Sequence, residues 1–237
     1  MVNPSRNYDF IKGEVLLFDK GLSWSSFDLV QKVRNSLCRT MEIKKLKVGH
    51  AGTLDPLATG LMILCTGKAT KQIESIQNGQ KEYFATIKLG ATTPSYDQET
   101  EKNNTYDYKH INKALLVETL KKFTGIIEQV PPVFSAVKVN GKRAYNYARS
   151  GKEIKLKARS VVIETIEITR IELPEVEIKV SCSKGTYIRS LAHDIGKALN
   201  SGAYLIGLRR TKIGNYNIED AITVEYFLNN IKSFVTN

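Results

Sequence analysis

Between Gly49 and Lys71 the chain reads GHAGTLDPLATGLMILCTGKATK, a segment in which tight backbone punctuation runs straight into an apolar block. Gly52, Pro56 and Gly60 bracket a single carboxylate, Asp55. Proline fixes its own φ and biases Asp55 towards extended backbone, while the glycines permit a tight turn or the close approach of another backbone or a ligand. The run LMILC from Leu61 is expected to anchor the loop in a core. Two readings of Asp55 stay open on loop chemistry alone. One is a structural turn whose carboxylate accepts backbone N–H bonds. The other is a reactive carboxylate on a rigid mount, a reading that needs structural context.

Strand and helix signals interleave along the rest of the chain, with no repeat and no low-complexity linker. After the capping serines Ser25 and Ser26, Phe27, Val30, Val33 and Leu37 recur at helical spacing and predict an amphipathic helix over 26–37. Tyr83, Ala85, Ile87 and Leu89 alternate with more polar neighbours, as do Val176, Ile178, Val180 and Cys182, so both segments predict half-buried strands. Leu116, Leu120 and Phe123 form a second helical stripe, and Ile188, Leu191, Ile195 and Leu199 a third. The strand pair 161–171 and 176–182 looks like a hairpin. The mixture predicts an α+β fold with a mixed, largely antiparallel sheet flanked by helices.

The chain has 35 Lys and Arg against 24 Asp and Glu, a formal charge of +11 that favours a polyanionic partner. Charge alone does not separate RNA from DNA or an anionic membrane. Eight of the cations lie in 138–159 (Lys138, Lys142, Arg143, Arg149, Lys152, Lys155, Lys157 and Arg159), interleaved with Tyr145 and Tyr147. Phosphate contacts from the cations and stacking from the tyrosines suit a folded RNA whose loop bases can be splayed out. Arg39, Lys44, Lys45, Lys47, Arg209, Arg210 and Lys212 are expected to extend that surface. The three cysteines, Cys38, Cys65 and Cys182, are scattered and odd in number, which points away from a disulfide framework and towards a reducing cytoplasm. No two His or Cys show ligand spacing, so no metal is expected. The polar opening lacks an apolar leader, and no segment approaches the ~18 uninterrupted apolar residues of a membrane span.

The segment 49–71 resembles the GHxGTLDPxATG signature of the TruB family, synthases that form pseudouridine at the T-loop uridine, position 55, of tRNA. The resemblance continues through LLFDKGLSWSSFDLVQKVR, KEYFATIKLG, VPPVFSAVKVNGKRAYNYAR, CSKGTYIRSLAHDIG and GAYLIGLRRTKIGNY, in family order. It implies a pseudouridine synthase fold, a single catalytic domain over 1–237, and a basic segment at about 130–159 that embraces the T arm. Asp55 falls on the catalytic aspartate, Tyr83 on the tyrosine that stacks on the target base, and Arg189 on the arginine that pairs with the aspartate. His50, Tyr187 and Leu208 fall on positions lining the substrate pocket. Lys20 matches a family lysine, although Gly21 replaces the usual proline beside it and leaves that turn less rigid. Lys138 is placed among the RNA-binding residues. The PUA-type module that follows the catalytic domain in many members is expected to be missing. A monomer acting on tRNA, without cofactor or metal, is the resulting expectation.

Isomerising uridine breaks the N1–C1′ bond, turns the uracil and rejoins it through C5, with no electron or phosphate transferred. Attack of the carboxylate on C1′, attack on C6, and assistance to an elimination all remain open from sequence. A non-catalytic RNA-folding module would keep the cations but not need Asp55. A glycosidic hydrolase would need a second carboxylate beside the bond, which the signature does not supply.

Overall fold

The computed structural model describes residues 7–235. They gather into two compact units, one made of the chain up to Glu82 together with the residues from Arg209 onward, the other of Tyr83–Leu208.

The first unit is built on the strand Thr59–Thr66, whose residues from Gly60 to Thr66 are all buried. It runs antiparallel to Val15–Lys20, with Val15 opposite Cys65 and Lys20 opposite Gly60. It is also antiparallel to Val48–His50 and parallel to the chain at Arg209 and Arg210. Burial on both faces explains why LMILC is continuous rather than alternating. Leu61, Ile63 and Cys65 join Leu17, Ala51, Ile76 and Ile213 in one core cluster. In the same unit Phe18 meets Phe227 edge-on at 5.3 Å, and Phe227 stacks on Phe234 at 5.4 Å.

The helix Ser26–Thr40 opens on a capping box: Ser25 accepts from the Asp28 N–H, and the Asp28 carboxylate accepts from the Ser25 N–H. Its buried stripe is Ser26, Leu29, Val30, Val33 and Leu37. Phe27, expected on that stripe, is instead 64% exposed. Leu29 takes the inward place because it lies four residues before Val33, on the buried face.

The second unit carries the long hairpin Arg159–Glu172 and Glu175–Cys182, antiparallel as expected, with two register shifts that bend it. Gly125–Gln129 adds an antiparallel strand, Arg159 facing Gln129. The strand Lys81–Leu89 alternates inward and outward and neighbours Glu175–Cys182 in the sheet. Two helices, Lys113–Lys121 and Ile188–Ala198, belong to this unit. The first ends before Phe123, so only Leu116, Thr119 and Leu120 form its buried stripe. The stretch after Gln129 is a loop holding a two-residue hairpin, Lys138–Val139 with Lys142–Arg143, and the short helix Ala144–Arg149. The architecture is α+β, with short parallel pairings in the first unit beside its antiparallel ones.

Candidate functional site

The expected site residues are divided between the units. Lys20, His50 and Asp55 stand in the first, and Tyr83, Lys138, Tyr187, Arg189 and Leu208 in the second.

In the first unit Asp55 is half-buried on a loop between two glycines with positive φ, Gly52 at +113° and Gly60 at +102°. The loop is pinned from several directions. Leu54 donates its N–H to Ser26 Oγ at 2.8 Å, and the same hydroxyl donates to Leu54 O at 2.8 Å. Ala58 N–H bonds Asp55 O at 3.0 Å, and Ser23 N–H bonds Pro56 O at 2.9 Å. Asp55 thus sits beside the first turn of the capped helix, in a backbone with several separate restraints.

Lys20 is fully buried, and its Nζ donates to Gly21 O at 2.9 Å and Trp24 O at 2.8 Å. These bonds close the turn in which Gly21 replaces proline, supplying by side chain a restraint that the ring would supply by φ. Burial pushes the Lys20 ammonium down to about 8; the Asp55 charge opposes that shift and the Arg210 charge adds to it. Lys20, Asp55 and Arg210 therefore share one electrostatic neighbourhood. His50 is shifted down by burial and by Arg210, with a Gly52 backbone bond opposing. It is neutral at pH 7, and its buried Nδ1 has no hydrogen-bond partner among the described residues.

Arg210 corrects an expectation. It is 1% exposed and cannot extend the basic surface. Its neighbour Arg209 pairs with Asp19 through two bonds, at 3.0 and 2.7 Å. Arg39, Lys44, Lys45, Lys47 and Lys212 are exposed.

In the second unit Arg189, in the first turn of the helix Ile188–Ala198, is 5% exposed. Its Nη1 meets Asp97 Oδ2 at 3.3 Å and Ser95 O at 3.4 Å, and its Nη2 donates to Phe134 O at 3.0 Å. One guanidinium therefore ties the helix Ile188–Ala198 to two loops. Beside it, Gln129 clasps the main chain of Tyr187, accepting from its N–H at 2.8 Å and donating to its carbonyl at 3.1 Å. Ser190 Oγ donates to Val130 O at 2.8 Å. Gln129 and Asp97 were not expected from sequence, because a lone amide at a strand end and an aspartate in a polar loop carry no pattern.

Tyr83 is 8% exposed on the inward side of its strand, while Tyr187 and Leu208 are half-buried. Lys138 is exposed, as are the other seven cations of 138–159. Tyr145 and Tyr147 are half-buried. Arg149 lies over the Tyr145 ring at 5.5 Å and bonds Glu99 at 3.0 Å, and the Tyr147 hydroxyl donates to Val139 O at 3.3 Å. The tyrosines thus also hold their own hairpin and helix. His193 stacks on Tyr96 at 4.0 Å, and His110 Nε2 lies 2.9 Å from Leu199 O, both structural placements.

Among the described residues no three His, Cys, Asp or Glu side chains gather in a metal-holding group, and no helix is long and apolar enough to cross a membrane.

Residues 39–188 match the TruB family pseudouridylate synthase (N terminal domain), and residues 189–235 match the tRNA pseudouridylate synthase B C-terminal domain. The tRNA pseudouridine synthase B of Phocaeicola vulgatus is 59% identical over 219 residues, 92% of this chain and 93% of that protein. The protein of the same name from Clostridium kluyveri is 47% identical over 212 residues, 90% of this chain and 71% of that one. Among solved structures, a chain of a Cbf5-Nop10-Gar1 complex matches 93% of this chain with TM-score 0.69 and 28% identity, and the match spans 54% of that longer chain. A family match that spans the Asp55 loop and the Tyr187 clasp, joined by near-full-length relatives, fixes the lineage: the chain belongs to the TruB family of pseudouridylate synthases.

Proposed function

We propose that the protein is a tRNA pseudouridine synthase that isomerises the T-loop uridine at tRNA position 55, with both units serving one catalytic domain. The observation that carries the reading is the Asp55 loop: a single carboxylate on a backbone held by Ser26, by Ser23 and by its own Ala58 turn, in a segment that matches the family. Such restraint is what a carboxylate needs if it is to meet one sugar carbon in one geometry.

A uridine stacked in a T loop is out of reach, so the base must be extruded at a cost of about a few kcal/mol. In this reading the Tyr83 ring offers the flipped uracil a face, and base stacking on an aromatic contributes ~1–3 kcal/mol. Asp55 acts as a carboxylate on the sugar or base carbon while the N1–C1′ bond breaks. The uracil turns and C5 joins C1′. The C5 proton leaves, and N1 ends protonated, so atoms balance without redox, nucleotide or metal chemistry. The Tyr83 hydroxyl is the proposed acceptor of the C5 proton. Excluding water from the site would raise the pKa of Asp55 towards its inert neutral form. Arg189 supplies the guanidinium that opposes this. His50, Tyr187 and Leu208 line the base, Lys20 orders the turn beside the loop, and Lys138 with its neighbouring cations grips the T-arm phosphates. The reading includes a cytoplasmic monomer; a dimeric mass in solution would correct that part.

Mapping pseudouridine in tRNA incubated with the purified protein tests the whole. Wild type is expected to modify position 55, and Asp55→Asn to bind tRNA yet form no product. Product at near-wild-type rate from Asp55→Asn would remove Asp55 from the mechanism. Because the matched motifs converge on one base and its loop, an isolated T-arm stem-loop is expected to react within about tenfold of intact tRNA, ~1.4 kcal/mol in transition-state stabilisation. A rate thousands of times slower would reveal a distal RNA contact.

A further inference from the structure

Arg210 touches the Asp55 loop at both of its ends. The Arg210 Nη2 donates to Gly52 O at 3.1 Å and Nη1 to Thr53 O at 3.3 Å, where the loop begins. Its Nε donates to Leu61 O at 2.8 Å, where the loop ends, and Nη2 also meets Met62 Sδ at 3.4 Å. The main chain of the same residue lies opposite Gly60 in parallel register. It comes so close that a Cβ on Gly60 would stand 2.2 Å from Arg210 O.

The acceptors of these bonds are neutral carbonyls and a thioether. A buried cation so bonded is costly to retain, and an apolar side chain of similar volume would fill the space without that cost. What an apolar side chain lacks is the planar fork, which fixes several acceptors in one orientation. A lysine in the same place would offer one rotatable ammonium. Arg210 also belongs to the charge neighbourhood of Asp55, since both act on the buried Lys20.

We infer that Arg210 is a positioning residue for Asp55: its guanidinium clamps the two ends of the 52–61 loop so that the carboxylate is presented in one place. The inference rests on the reading of Asp55 as the reacting carboxylate. It adds a residue that acts through the loop carrying Asp55 rather than as a reacting group.

The test compares wild type, Arg210→Lys and Asp55→Asn in single-turnover and steady-state assays on tRNA, with amide hydrogen exchange at Leu54 and Ala58. Arg210→Lys keeps the charge and loses the fork. It is expected to lower kcat about a hundredfold while KM stays within about threefold, the signature of misplaced chemistry rather than weakened RNA binding. Exchange at Leu54 and Ala58 should accelerate, while the amides of the strand Val15–Lys20 keep their protection. A folded Arg210→Lys with kcat within about threefold of wild type, or with only KM raised, overturns the inference. If the variant does not fold, exchange in the wild type decides: Leu54 and Ala58 as slow as the strand Thr59–Thr66 support the clamp, and coil-like rates overturn it. An active Asp55→Asn would place the failure in the reading of Asp55, whereas an inactive Asp55→Asn beside a fully active Arg210→Lys places it in the clamp.

Discussion

Replacing Gly60 with alanine puts a methyl group where the structure has none to spare. The new Cβ would lie 2.2 Å from Arg210 O, 2.8 Å from Arg210 N and 3.0 Å from Arg210 C, all inside the 3.4 Å at which ordinary contact begins. These are main-chain atoms of a parallel strand pair, so no side chain can swing aside. The residue is also held at φ +102°, where an L side chain is strained by about 1–3 kcal/mol. Overpacking a tight interior adds about 1–3 kcal/mol. Together these give a loss of about 2–6 kcal/mol, against a total of about 5–15 kcal/mol for a typical domain. With a urea slope of about 2–3 kcal/mol per molar, the denaturation midpoint should fall by about 0.7–3 M. Because the displaced pair is the one that closes the Asp55 loop, pseudouridine formation should fall as well, below the midpoint shift's reach. Circular dichroism against urea, with turnover measured in the native baseline, checks both. A midpoint within about 0.2 M of wild type would refute the reasoning, since it would mean that the two strands separate at Gly60 without cost.

Lys20 titrates at about 8 in the folded protein against 10.5 for an ordinary lysine. Between those values the unfolded chain holds a proton the folded chain has released, so this residue's contribution to stability rises as pH passes upward through 8 and is complete above 10.5. The urea midpoint of wild type minus that of Lys20→Met should therefore climb from pH 7.5 to pH 10, and a flat difference would contradict the buried, depressed ammonium. Alkylation should separate the thiols: Cys38 is half-buried, whereas Cys65 and Cys182 are buried and burial pushes the Cys65 thiol up to about 11. Mass spectrometry at pH 8 should find one label, on Cys38, in native protein and three in denaturant; labelling of Cys65 under native conditions would count against the core assignment.

Elements whose stabilising contacts repeat at a regular spacing were legible in the sequence. The helix Ser26–Thr40, the strand Lys81–Leu89, the hairpin of 159–182 and the helix Ile188–Ala198 all announce themselves by period, the first helix also by its cap. The Asp55 loop was legible for a different reason, because its glycines and proline mark a tight turn in the local backbone, while the partners that hold it lie far away in sequence. Arg210 was misread because adjacent arginines in one strand look alike until a partner is known. Arg209 meets Asp19, and Arg210 meets carbonyls of residues 52, 53 and 61. Phe27 shows the converse failure, an aromatic at helical spacing that falls just off the buried stripe. The Gln129 clasp on Tyr187 spans 58 residues, and no local pattern records such a pair.

The separation in sequence between Asp55 and Arg210 bears on the order in which the protein is assembled. The bonds from Arg210 to the loop cross 149 to 158 residues. A chain emerging from the ribosome exposes the Asp55 segment early, can seat Leu54 on Ser26 over only 28 residues, and then waits. Long-range contacts of this kind close late, after the intervening chain has folded. The carboxylate loop is thus completed only when the strand carrying Arg210 arrives, and a truncated or nascent chain ending before residue 210 carries the signature without the two-ended restraint that finishes it.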